Sequence, residues 1–166
     1  PQAVERSTFV LAASAALGLL CWQWRTIDGT VWDIGQPIAR TAVWTVAAVG
    51  WLTVLATTFM INHFELFGLQ QVFTHWRGRR FAGTGFRTPL LYRLVRHPMM
   101  LGFLLAFWAA PTMTAGHLLF AAATTGYILA AIRIEERDLS ESLGDPYRRY
   151  RREVPMVVPM GRCPRD

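Results

Sequence analysis

Apolar residues in this chain fall in blocks rather than at regular intervals. Thr8 to Trp24 (TFVLAASAALGLLCWQW) carries no charge, and Ile38 to Ile61 carries only Arg40, near its start. A third block, Pro98 to Ile134, is apolar but broken at Pro111-Thr112-Met113-Thr114-Ala115-Gly116. Unbroken apolar runs of this kind predict membrane helices rather than the one-sided faces of a water-soluble domain. The first run has Ser7 or Thr8 as a cap and Trp22 and Trp24 where an aromatic belt is expected; it is barely long enough to span. Arg25 to Pro37, with Asp28-Gly29 and Gly35-Gln36-Pro37, reads as an exposed loop. The second run is the surest span, its Arg40 reaching out to the headgroups. The third is too long for one span and short for two, which predicts a helical hairpin that just crosses, or nearly crosses, the bilayer.

Between the second and third runs lies a segment that mixes aromatics with arginines, LFGLQQVFTHWRGRRFAGTGFRTP. It reads as a partly interfacial helix followed by a Gly-rich loop over residues 78–89. After the hairpin a helix continues through Glu135, Glu136, Arg137 and Asp138 to a stop at Gly144, with Asp145 as the next cap and Pro146 in the first turn. The short helix that follows puts Tyr147, Tyr150 and Val154 on one face and Arg148, Arg149, Arg151 and Arg152 on the others, an amphipathic helix at a membrane surface. The fold expected is all-α: a polytopic membrane protein of about four transmembrane helices, with a helical hairpin in its C-terminal half and a cytosolic interfacial C-terminal helix. Residues 1–166 are expected to form a single integral-membrane domain.

Composition agrees with the pattern. Hydrophobic residues make up 52% of the chain, with seven tryptophans, and the formal charge of +6 is carried by arginine alone, since there is no lysine. A basic chain invites a nucleic-acid reading. The arginines, however, flank the apolar runs at residues 77–96 and 133–152, which fits the positive-inside rule better. Both blocks lie on one side of the hairpin, and by that rule the side is cytosolic. The expected location is the bacterial inner membrane, with no nucleic-acid partner. Cys21 and Cys163 offer neither a disulfide framework nor metal-ligand spacing, so no metal is expected. Gly83-Thr84-Gly85 fails as a nucleotide loop, because Thr88 stands where the third glycine belongs and no strand precedes it. The chain begins at Pro1 without an initiator methionine, which leaves room for upstream residues, and nothing at its start reads as a cleaved signal.

The chemistry concentrates at Leu91 to Gly102, LYRLVRHPMMLG, where a basic segment becomes a membrane helix. If the turn of the hairpin centres near Ala115, His97 lies about 18 residues before it and Glu135 about 20 after, so at ~1.5 Å per residue both finish at nearly the same depth. Arg96 and His97 then face Glu135 and Glu136 across the ~8–10 Å between packed helices, with a helix N-terminus pointing into the gap. Such a gap suits a zwitterion: a carboxylate toward Arg96 and His97, an ammonium toward Glu135 or Glu136. Charged residues at the two ends of a hairpin also serve as plain interface anchors.

The combination Arg-His-Pro-x-x-x-Gly at 96–102, Glu-Glu at 135–136, Gly-x-x-Tyr-x-x-Tyr at 144–150 and Val-Pro at 154–155 resembles the membrane methyltransferases that include isoprenylcysteine carboxyl methyltransferases and phospholipid N-methyltransferases. The resemblance covers about residues 90–160 and implies S-adenosylmethionine as cofactor. It implies Tyr92, Arg96, His97, Pro98, Gly102, Glu135 and Glu136 as the cofactor-binding residues. Many members have tyrosine where this chain has Met100. That difference, with Asn62-His63-Phe64-Glu65-Leu66-Phe67-Gly68, is most similar to the bacterial methanethiol S-methyltransferases. The resemblance implies methyl transfer to a small thiol, with membrane lipid around it; a prenylcysteine carboxylate, a lipid amine and a non-catalytic membrane subunit are the alternatives.

Methylating a thiol requires its thiolate, so a base at the right depth is sought. His63 and Glu65, at the cytosolic end of the second run, are the catalytic candidates. They stand two apart and converge only at a helix end or turn. Asn62, Phe64 and Met100 are the substrate-side candidates. His75 reads as interfacial, His117 as a turn residue on the opposite side.

Overall fold

In a computed structural model the described residues are 2–25, 27–60 and 90–159, and they are mostly helical. They form helix α1 (Gln2–Gln23), strand β1 (Thr30–Asp33), helix α2 (Pro37–Met60), a 3-10 turn (Leu90–Arg93), helix α3 (Pro98–Trp108), strand β2 (Thr112–Thr114), and helices α4 (Ala115–Ser142) and α5 (Asp145–Glu153). The candidates Asn62, His63, Phe64 and Glu65, and His75 with them, lie outside the described residues.

Two compact units divide the chain: residues 1–26 with 58–85, and residues 27–57 with 86–166. In the first, α1 runs from Gln2 and exposes Phe9, Leu11, Leu17, Leu19 and Trp22. The second unit holds the residues of interest, and the rest of the description concerns it.

Two helices among the described residues, α2 and α4, are long and apolar enough to cross a membrane, and only about a fifth of each apolar window is buried within the chain. Trp44, Leu52, Leu55, Leu119 and Tyr127 face outward. Apolar surface on this scale is what lipid covers, and the chain is an integral membrane protein. The threonines conform to that setting. Thr41, Thr45, Thr53 and Thr57 on α2 donate to the carbonyls of Pro37, Thr41, Val49 and Thr53, so no hydroxyl is left to face hydrocarbon alone. Thr124 and Thr125 on α4 do the same toward Phe120 and Ala121.

The hairpin is asymmetric. α3 has 11 residues and ends at Trp108, whereas α4 has 28. At ~1.5 Å per residue α3 is only about 16 Å long and does not span. The connection 109–114, which is extended over Thr112–Thr114, adds to that reach before the chain turns back into α4.

The fold is also not purely helical. β1 and β2 pair antiparallel, with Thr30 opposite Thr114, Trp32 opposite Met113 and Asp33 opposite Thr112. Thr30–Asp33, within the stretch expected to be an exposed loop, is exposed and is also paired with the hairpin turn. The reason is backbone polarity: both segments are extended, and pairing gives their N–H and C=O groups partners. Trp32 Nε1 donates to the Ala110 carbonyl at 3.0 Å, Thr112 Oγ1 to Asp33 at 2.7 Å, and Ala115 N to the carbonyl of Gly29, whose φ of 120° suits glycine alone. Thr114 caps α4, accepting from His117 N, and the His117 ring bonds the Phe107 carbonyl at 2.8 Å. His117, expected to be a turn residue, thus stands in the first turn of α4 at this end.

α2 and α3 cross with their backbones nearly touching. A Cβ on Gly50 would come within 2.7 Å of the Ala106 nitrogen and the Gly102 oxygen, and one on Gly102 within 2.8 Å of the Gly50 oxygen. Small residues at such a crossing let membrane helices pack closely. Beside it Trp51 meets Phe103 and Phe107 edge-on, both at 6.1 Å between centroids. Between α3, α4 and the C-terminal segment, Ile128, Ile132 and Val157 form a buried cluster flanked by Met100, Leu101, Phe103, Leu104 and Met156.

α5 starts one residue earlier than its sequence suggests. Gly144, at φ 64°, is the cap, while Asp145 is the first helical residue and pairs with Arg148 at 3.5 Å. Tyr147 and Val154 are buried and the four arginines exposed, as the amphipathic pattern requires.

Candidate active site at the mouth of the hairpin

Three elements meet where α3 begins. The first is the 3-10 turn with Val95, Arg96 and His97; the second is α4 at Glu135 and Glu136; the third is α5 with residues 154–157. Pro98 opens α3, fully buried, where its missing N–H costs nothing. The N–H groups of Arg96 and His97 therefore point away from the helix and donate to the carbonyls of Pro155 and Met156, at 2.9 and 3.1 Å. Residues 155–156 thus act as a strap across the turn. The Tyr150 hydroxyl adds a third tie by donating to the Tyr92 carbonyl.

Inside this frame lies a buried ion pair. Arg96 Nη2 stands 2.8 Å from Glu136 Oε1, with the two side chains only 7% and 8% exposed. Arg96 Nη1 donates to the Arg151 carbonyl at 2.8 Å, and Arg151 Nε reaches Glu136 Oε2 at 3.5 Å. Neighbouring residues on a helix project about 100° apart, yet both glutamates meet one partner. The His97 ring lies between them, Nε2 at 3.4 Å from Glu136 and Nδ1 at 3.5 Å from Glu135.

The two carboxylates differ. Glu136 is enclosed by Arg96, Arg151 and His97, while the Glu135 side chain is 51% exposed and, among the described residues, its one ion-pair contact is the His97 ring. Glu136 holds the site together, and Glu135 is the more exposed of the two carboxylates. Burial, with Glu135's charge adding to it, pushes the Tyr92 phenol up to about 12, and burial likewise takes Tyr150 to about 12. Tyr147 rises too, by burial first and then by the charge of Glu136. All three phenols are protonated at neutral pH, and that of Tyr150 donates to the Tyr92 carbonyl.

Of the residues singled out in the sequence, Arg96, His97, Glu135 and Glu136 come together and Tyr92 and Pro98 adjoin them. Gly102 lies farther along α3 against Gly50, and Met100 packs on the Ile128–Ile132 cluster. Arg151, Tyr150 and the carbonyls of Pro155 and Met156 belong to the site as well. Their signal was present in the Gly-x-x-Tyr-x-x-Tyr and Val-Pro stretches, but Arg151 read as one of four solvated arginines.

A protein-family profile described as NnrU protein matches residues 5–149. The chain belongs to the NnrU family. It is 62% identical over 159 residues to a methanethiol S-methyltransferase of Mycobacterium tuberculosis, a match covering 96% of this chain and 65% of that relative. It is 54% identical to methanethiol S-methyltransferase 1 of Bradyrhizobium diazoefficiens, over 96% of this chain and 56% of the relative. Nurim of Pan troglodytes is 27% identical over 82% of this chain and 55% of its own length. The chain spans less than two thirds of the length of these relatives. No solved structure matches it.

Proposed function

We propose that this NnrU-family chain is a single integral-membrane methyltransferase domain that transfers a methyl group from S-adenosylmethionine to a small thiol, methanethiol, giving dimethyl sulfide. One observation carries the reading: at the mouth of the hairpin a half-exposed carboxylate, Glu135, stands beside a buried Arg96–Glu136 ion pair. The names of the relatives that match 96% of the chain support the acceptor.

The residues present fit a zwitterionic donor. Glu135 offers an accessible negative charge, and the half-exposed Arg151 guanidinium a positive one, on a frame whose other charges cancel. Bound there, S-adenosylmethionine supplies a methyl carbon on a cationic sulfur, open to displacement by a thiolate. Glu135 receives the ammonium group, and His97, held between the two glutamates, fixes the direction of both. Arg96 pairs with Glu136 in a buried place and ties the turn to the strap at residues 155–156. Pro98 sets the start of α3, and Gly102 lets that helix lie against α2. On the substrate side the sequence assigns Asn62, Phe64 and Met100, and it assigns the thiol proton to His63 or Glu65. Displacement asks for little beyond positioning and a shielded path. About four spans, the inner membrane of a bacterium and a cytosolic mouth complete the reading.

The test is acceptor choice. Purified protein is given donor with a labelled methyl group and, separately, methanethiol, sulfide, a prenylcysteine or phosphatidylethanolamine. Labelled dimethyl sulfide from methanethiol is the expected product. Transfer to the prenylcysteine or to lipid alone assigns the other acceptor class, and transfer to none of them rejects the reading.

A further inference from the structure

Beside the site, α4 and α5 line an open groove of about 320 Å³ that shares Glu136 and Arg151 with it and extends to residues the methyl-transfer reading does not use. Its walls carry four arginines, Arg133, Arg137, Arg148 and Arg151, and two glutamates, Glu136 and Glu141. The arginines converge because Arg133 and Arg137 are four apart on α4, and Arg148 and Arg151 three apart on α5, spacings that share a helix face.

The walls hold an excess of positive charge. Arg137 pairs with Glu141 at 3.1 Å and Arg148 with Asp145 at 3.5 Å, both between exposed side chains, where water screens the attraction. Glu136 is already held by Arg96. Among the described residues, no carboxylate lies within ion-pair range of Arg133, whose guanidinium touches only the Leu129 carbonyl, at 3.4 Å. Each guanidinium has five N–H donors, and these single contacts leave most of them free for another acceptor. Four guanidinium groups against two carboxylates leave the walls with more positive than negative charge, which a bound anion would offset.

Position narrows the anion. Arg133 is the first charge after the apolar part of α4, a helix long enough to span, so the groove opens at the depth of lipid headgroups. An anion that several forked donors on two helices can share is a phosphate, with oxygens pointing in several directions. We propose that the α4–α5 groove is a binding site for a phosphate group at the membrane surface, borne by an anionic phospholipid. Because Arg151 also contacts Glu136, an occupied groove would be coupled to the neighbouring site through that side chain.

Lipid retention tests this without methyl donor or acceptor, so its outcome is independent of the methyl-transfer reading. The full chain in neutral detergent is titrated with phosphatidylglycerol, with phosphatidylcholine, and with inorganic phosphate, and bound species are counted by native mass spectrometry. The expected result is one phosphatidylglycerol retained in clear preference to phosphatidylcholine. Arg133→Gln with Arg148→Gln should weaken that retention about tenfold or more, since each basic residue near the headgroups adds to the attraction. Arg149→Gln, an equal loss of charge per site on α5 but outside the groove, should leave it nearly unchanged. Displacement of the lipid by millimolar inorganic phosphate would keep the phosphate site and assign it to a soluble bearer. Equal retention of both lipids with no phosphate binding would overturn the proposal. So would a double variant that holds phosphatidylglycerol as tightly as the parent, or an Arg149→Gln variant as weak as the double one.

Discussion

The two ends of the hairpin are tied by different chemistry. At the turn, β1 and β2 are joined by backbone bonds, by Trp32 to Ala110 and by Thr112 to Asp33, and the one ion pair, Arg40–Asp33 at 3.6 Å, is about half-exposed. At the mouth, the ties are a buried arginine, a buried histidine and a buried glutamate, with an arginine and a second glutamate at the edge. Backbone pairing and neutral hydrogen bonds suffice to hold a turn. Burying charge is costly and is tolerated only where each ion finds a partner. The clasp therefore reads as architecture, and the mouth as a place where charge is kept for use.

The largest expected contrast is between the two carboxylates that anchor these ends. Glu136→Gln leaves Arg96 buried without its partner and should cost about 3–5 kcal/mol. Asp33→Asn, which loosens an exposed pair, should cost under about 1 kcal/mol. Thermal unfolding of the two variants in the same detergent checks both; similar losses would mean that the ends are held alike. Next in size is the crossing between them. Gly102→Ala forces α2 and α3 apart, since its Cβ would meet the Gly50 oxygen at 2.8 Å, and should cost about 1–3 kcal/mol. The paired variant Gly50→Ala should fall in the same range.

Alkaline pH sharpens the contrast further. Tyr92 and Tyr150 have phenols raised from the ordinary 10 to about 12, so the folded state favours their protonated forms. Their contribution to stability is complete below pH 10 and is lost as pH rises toward 12. Tyr150→Phe should be somewhat less stable at neutral pH, through the lost bond to Tyr92, yet decline less steeply between pH 10 and 12. A pH series of melting temperatures reads this, and equal slopes would contradict it. The smallest effect is expected back at the clasp, where Thr112→Val removes one exposed hydrogen bond worth about 0.5–1.5 kcal/mol.

The meeting of Arg96 and His97 with Glu135 and Glu136 was legible in the sequence, because the residue count on either side of Ala115 is nearly equal. The route was not. Pro98 to Ala110 is apolar throughout, and such a run carries no periodic signal to mark that α3 stops at Trp108. The clasp was missed because short strands of Thr, Val and Trp between glycines look like any loop until their partner is known. Glu136 rather than Glu135 is the buried residue because it continues the inward line of Ile128 and Ile132, four residues apart. In a helix whose spanning part is apolar on every side, that line becomes visible only once packing has chosen a face. Arg151 was hidden for a different reason: its long side chain lets a mostly exposed residue reach a buried carboxylate.

The account turns on Glu135 being the free carboxylate of a methyl-donor site. Calorimetric titration of S-adenosylmethionine into the purified chain and into Glu135→Gln tests it directly. The prediction is saturable binding to the parent and about tenfold or more weaker binding to the variant, the usual scale for losing a charge-assisted hydrogen bond, with melting temperatures nearly equal because Glu135 is half-exposed. Equal affinities in the two proteins, or no saturable binding to the parent, would contradict it.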